Sequence, residues 1–220
     1  MSTAGTIGFN DDGSFSFPEN VARSDISLSN DALVDVTGTT GGDLSLTAGN
    51  ITIEGDSELQ GGTFANTGAP DSQSGDINLQ ATEAIKLDAS TIDNAVGTGN
   101  AGEVEIIATN FSIVNDGQID SSTLGNGDAG NITIDVSEKV SLDIGNIVSN
   151  ILEEAEGNAG EIKVSANSIS LTNGAQIQSG VFEGGQGNGN NVTLNARGGD
   201  VTISGNNQVV SGIFTDVDDG

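Results

Sequence analysis

The chain has 220 residues, neither Cys nor His, and a formal net charge of −27 from 32 Asp and Glu against 5 Lys and Arg. That composition excludes a disulfide framework, a thiolate metal site and a His-based catalytic triad, and charge repulsion sets the chain against DNA, RNA and anionic membrane surfaces. There is no run of 18 apolar residues and no basic, apolar leader, so neither direct membrane insertion nor an export signal is expected from this sequence.

Residues 1–12, with Ile7-Gly8-Phe9, read as the tail of a preceding coil or as an N-terminal strand, and residues 13–220 as one repeat domain. Seven apolar-polar-apolar triplets then recur: Phe15-Ser16-Phe17, Leu44-Ser45-Leu46, Ile77-Asn78-Leu79, Val104-Glu105-Ile106, Ile132-Thr133-Ile134, Ile162-Lys163-Val164 and Val192-Thr193-Leu194. Their spacings are 29, 33, 27, 28, 30 and 30 residues, a period that belongs to stacked repeats. A second triplet follows each one, from Ile26-Ser27-Leu28 to Val201-Thr202-Ile203, and alternation of this kind marks a strand with one inward face. A looser third segment centres on Val34, Leu59, Ile92, Ile119, Val148, Ile177 and Val209, with a further apolar residue such as Phe64, Leu124, Phe182 or Phe214 a few positions on. Tight Asn, Asp and Gly corners, such as Asn115-Asp116-Gly117 and Asn173-Gly174, separate the second and third segments. Longer loops such as Gly157-Asn158-Ala159-Gly160 lead back to the first, and Ala65 to Ser74 is the longest of them. The expectation is an all-β solenoid of about seven coils of about 30 residues, three short strands to a coil.

Disorder is the competing structural reading for so acidic a chain. Leu, Ile, Val and Phe nevertheless number 56 of 220, enough to fill a core, and they fall at the inward strand positions. No stretch carries helical spacing, and each of the 33 glycines would cost about 1 kcal/mol inside a helix. One coil alone cannot fold: six large side chains at roughly 1.5–3 kcal/mol each do not offset about 1–2 kcal/mol of entropy for every residue. Stacking supplies the rest, and seven coils at about 4.8 Å make a rod roughly 34 Å long.

The runs Gly157-Asn158-Ala159-Gly160-Glu161-Ile162-Lys163-Val164 and Ile169-Ser170-Leu171-Thr172-Asn173-Gly174-Ala175-Gln176-Ile177-Gln178-Ser179 resemble the repeats of filamentous-haemagglutinin-like exoproteins of the two-partner-secretion adhesin type, abundant in cyanobacteria. The resemblance covers Gly13 to Gly220 and implies a right-handed parallel β-helix, secretion across an outer membrane, and work as an adhesin, stalk or surface filament at the cell surface. The secretion domain of that family, with its Asn-Pro-Asn type motif, has no counterpart here. Asp11-Asp12-Gly13 recurs as Asp218-Asp219-Gly220, so the two ends read as junctions with further coils. The expected partners are therefore the chain itself, stacked end to end, or adjoining repeats of a longer polypeptide, with surface carbohydrate as a candidate ligand.

Enzymatic chemistry is the main rival, because parallel β-helices host carbohydrate-active enzymes. The chain lacks His and Tyr, its basic residues Arg23, Lys86, Lys139, Lys163 and Arg197 lie on different coils, and no catalytic residue is assigned. Ice binding is the next rival, since the outward positions of the second strand read Ser27, Thr52, Lys86, Ser112, Ser141, Ser170 and Thr202. Thr is the minority and Lys86 interrupts the row, which favours an ordinary solvated face. No cofactor is required, and Ca²⁺ is the one that acidic loops suit. Its candidate ligands are Asp11 and Asp12, the Asp116 and Asp120 corner, the Glu153-Glu154-Glu156 loop, and Asp216, Asp218 and Asp219. The calcium nonapeptide repeat is not met, because Gly184-Gly185-Gln186-Gly187-Asn188-Gly189 puts Gly where Asp is required.

Overall fold

A computed structural model describes residues 8–9, 15–16, 23–64, 67–69, 72–206 and 208–215. Asp11 and Asp12, and Asp216, Asp218 and Asp219, with the two Asp-Asp-Gly tripeptides, lie outside the described residues. The described chain is all β and winds as a right-handed parallel β-helix of about six turns. From Ile26-Ser27-Leu28 onward the apolar-polar-apolar triplets become strands because period-two alternation turns one row of side chains inward while the backbone pairs with neighbouring coils.

Second strands stack in seven rungs, from Ile26–Leu28 through Ile51–Glu54 and Ala84–Asp88 to Ser168–Thr172 and Val201–Ser204. Third strands also stack in seven rungs: Leu33–Asp35, Glu58–Gln60, Thr91–Asp93, Gln118–Asp120, Asn146–Val148, Gln176–Gln178 and Gly212–Phe214. First strands stack in six. In the middle of the rod the first and second strands fuse into single strands, Val104–Val114 and Ile132–Asp143, whose register shifts between Ala108 and Asn110. That corner is a bend within one sheet.

Three expectations are corrected in register. The first triplet does not join the parallel stack: Phe15–Ser16 pairs antiparallel with Gly8–Phe9, the shorter-range closure open to adjacent segments. In the third strands, Ile147 and not Val148 occupies the core column, opposite Ile119 and Ile177, while Val148 points outward opposite Asp120. The preceding corner is short there, formed by Ile144 at φ 56° where the equivalent positions carry Asn115 and Asn173. In the last coil, Ile213 and not Val209 pairs with Ile177, because seven residues separate Ser204 from Gly212 where three separate Thr172 from Gln176.

The inward columns form one dry core running the length of the stack, with Ile51, Ile85, Phe111, Val140 and Ile169 buried in one column and Leu59, Ile92, Ile119, Ile147 and Ile177 in another. Four of the coils are closed by a buried clasp. Ser121, Ser149 and Ser179 follow the third strand, and their hydroxyls donate to the carbonyls of Gly102, Gly130 and Gly160 just ahead of the first strand, at 3.2, 2.7 and 2.8 Å. Asn94 does the same toward Gly75 through its amide at 3.2 Å. These glycines leave no room for a side chain: a Cβ on Gly130 would stand 2.1 Å from the Gly102 carbonyl oxygen and 2.3 Å from Ser121 Oγ. The pairs Ala101-Gly102, Ala129-Gly130 and Ala159-Gly160, ahead of three of the six first strands, are thus close backbone approaches stacked from coil to coil.

Candidate functional site

The seven outward positions of the second strand lie in strict register from Ser27 to Thr202. The six hydroxyls form a flat, solvent-facing ladder. Lys86, which interrupts it, is tied to Asp88 at 2.7 Å, and Asn115 Nδ2 donates to the other oxygen of Asp88 at 2.7 Å. Those two bonds, that of Lys86 first, hold the Asp88 carboxyl below its ordinary range. Lys163 pairs with Glu161 at 2.6 Å and Arg197 with Asp135, so three of the five basic residues are engaged with carboxylates on the same broad sheet.

Asp116 and Asp120 belong to different surroundings. Asp116 sits exposed at a left-handed corner, φ 63°, in a shallow groove of about 380 Å³ that runs across the coil at residues 89–91 to Asp56 and Glu58 two rungs away. Asp120 ends its strand opposite Asp93 on the adjacent rung. Facing side chains on such rungs stand about 5 Å apart. Asp93 Oδ1 accepts the Ala95 N–H at 2.9 Å, Asp120 Oδ1 accepts the Ser122 N–H at 2.9 Å, and Gln118 Nε2 donates to Asp120 Oδ2 at 3.2 Å. Burial pushes both carboxyls above their ordinary range, and for Asp93 the charges of Asp120 and Glu58 add to it. The pairing is legible in retrospect: 27 residues separate Asp93 from Asp120, the local length of the repeat between Ile77 and Val104.

A second acidic edge went unrecognised in the sequence. Where the return loops meet the first strands, Asp76, Glu103, Asp128, Asn131 and Asn158 line an open groove of about 540 Å³ across several coils. Each of three side chains spends one oxygen on the next coil. Asp76 Oδ1 accepts the Glu103 N–H at 2.7 Å, Asp128 Oδ1 the Asn158 N–H at 2.7 Å, and Asn131 Oδ1 the Glu161 N–H at 2.8 Å. The signal was the recurrence of Asp, Glu or Asn immediately before each first strand, from Asp43 to Asn191. Glu153 and Glu154 are exposed in their turn, with Glu154 at φ 64°, and Glu156 is exposed at the start of the short strand Glu156–Asn158, which pairs with Gln186–Asn188. No group of three or more Asp or Glu side chains placed to hold a metal ion occurs among the described residues.

The apolar residues trailing the third strand face outward. Phe64, Leu124 and Phe182 are 54, 46 and 46% exposed and not in the core, because the inward position is taken by the residue just before each, Thr63, Thr123 and Val181.

A parallel stack of coils with flat polar faces and open grooves defines the class, a β-solenoid repeat protein. Compared with known protein families, curated proteins and solved structures, the chain matches none.

Proposed function

We propose that the chain is a structural and adhesive β-solenoid working outside the cell, a segment of a surface adhesin or stalk whose terminal coil stacks on further coils. Those coils come from a second copy or from adjoining repeats of the same polypeptide. The observation that carries this reading is the step in burial at the last coil. Leu171 is 0% exposed, and Ile203, the next residue in its column, is 45% exposed; Ile177 at 0% is followed by Ile213 at 38%. Side chains that are core everywhere else are left half in water, beside strand edges that no further described strand covers. Another β-helix coil is the surface that fits both. The repeat resemblance supports a place at the cell surface, and the hydroxyl ladder offers a regular face to surface carbohydrate.

With a net charge of −27, stacking rods brings like charges together, and Ca²⁺ on exposed carboxylates offsets that repulsion at contact where sodium only screens it beyond about 8 Å. X-ray scattering and electron microscopy of the purified chain, with calcium and with sodium chloride of equal ionic strength, test this. Particles should lengthen end to end with calcium and less so with sodium. A strictly monomeric particle at high calcium and high protein concentration would remove stacking between copies.

A further inference from the structure

We propose that one long edge of the rod, the row Leu124, Leu152 and Phe182, is a docking stripe for a basic amphipathic helix of a partner protein. The three side chains stand on consecutive rungs: the Leu152 N–H donates to the Thr123 carbonyl at 3.1 Å, and the Phe182 N–H to the Ile151 carbonyl at 2.9 Å. Gly97 leaves a gap on the preceding rung, which the Leu124 N–H reaches through the Val96 carbonyl at 2.9 Å. Beneath the stripe lies a separate small core of Ala129, Ile151, Ala155 and Val181. Turns closed by Ala155 N–H on the Leu152 carbonyl at 3.1 Å, and by Gly185 N–H on the Phe182 carbonyl at 2.9 Å, hold the loops in shape. Leu124 and Phe182, exposed, and Leu152, half-buried between them, are therefore presented on a fixed support, where burial by the chain itself has already been satisfied one residue earlier.

Spacing and charge choose the occupant. Rungs repeat at about 4.8 Å, close to the roughly 5–6 Å between same-face neighbours three or four apart on a helix, whereas an extended strand laid along the rod places same-face side chains roughly 7 Å apart. Leu152 and Phe182 floor an open groove of about 650 Å³ whose rim carries Glu153 and Glu183. Glu154, Glu156 and Asp128 stand exposed in the same loops, and residues 124–130, 152–158 and 182–188 contain no Lys or Arg. An apolar floor with a wholly acidic rim fits an apolar helix face flanked by Lys or Arg. A second copy of this chain would set carboxylates against carboxylates, and an anionic membrane would do the same. The inference concerns the side of the rod and does not depend on what covers its end.

The test uses the full chain and a synthetic Leu/Lys peptide of about 18 residues patterned as an amphipathic helix, with a scrambled peptide of identical composition that has no apolar face. By fluorescence anisotropy the patterned peptide should bind about tenfold tighter than the scrambled one. The double variant Leu124→Glu, Phe182→Glu should lose that preference while melting at the parent temperature, and the single variant Leu152→Gln should lose part of it. Equal binding of the two peptides, or a preference that survives the double variant, would overturn the proposal. So would dimerisation of the parent abolished by the double variant, which would make a second copy the occupant, or binding to phosphatidylserine vesicles abolished by it.

Discussion

The inner coils and the last coil have the same sequence pattern and different physical states. Ile134, Leu142 and Leu171 are dry, whereas Val201, Ile203 and Ile213 sit in the corresponding strands with more than a third of their surface in water. The triplets Ile169-Ser170-Leu171 and Val201-Thr202-Ile203 are nearly interchangeable as chemistry, and they pair rung to rung. What differs is the presence of a covering coil on both sides. In this fold a core is a property of the stack and not of the repeat, so the stability of a coil is largely an interface quantity.

The sharpest way to break the comparison is to place a charge in each region. Ile134→Asp buries a carboxylate in an aliphatic column and should cost about 5 kcal/mol or unfold the central coils, seen as loss of most of the thermal transition. Ile203→Asp should cost well under half of that by the same measurement. Equal losses would mean that the terminal coil is covered in solution.

Next in size is the close approach at the Ala-Gly pairs. Gly130→Ala drives a methyl into the Gly102 carbonyl and should destabilise by about 3 kcal/mol in urea denaturation. Gly198→Ala in the last coil meets only the Asn167 side chain, which can move, and should change stability by no more than about 0.5 kcal/mol.

A smaller effect runs the other way. Ile144 holds a left-handed φ of 56° that a β-branched residue adopts with strain. Ile144→Asn, matching Asn115 and Asn173 at the equivalent corners, should stabilise the chain by about 1 kcal/mol. Unchanged or lower denaturant resistance would place that corner in another conformation.

The smallest expected effect is one of pH. Burial raises Asp93 and Asp120, so the folded rod holds these protons more tightly than the unfolded chain does. The stability this contributes is fully present below the ordinary Asp range and is lost as pH rises through the folded values. Asp88, held low by Lys86 and Asn115, contributes in the opposite sense but lies near the surface, where solvent screens it. The melting temperature should therefore climb as pH falls from neutrality toward the ordinary Asp range, and Asp120→Asn, which keeps an oxygen for the Ser122 N–H, should flatten that climb. A variant with the parent's full pH dependence would show that the pair does not couple.

Much of the architecture was determined by the sequence alone, because a solenoid writes its geometry locally. Alternation over three residues sets which side chain turns inward, and a period near 30 sets what lies above it, so the triplets from Leu44 to Ile203 and the hydroxyl row from Ser27 to Thr202 could be read residue by residue. Only the tertiary structure decided what depends on register between coils: Ile147 inward in place of Val148, Phe15–Ser16 in an antiparallel pair, and Asp93 against Asp120 with Asp116 elsewhere. A shift of one residue in a loop exchanges the inside and outside of a strand. The same holds for Leu124 and Phe182, apolar in sequence and outward in fact, because the inward place had already been filled by the residue before each.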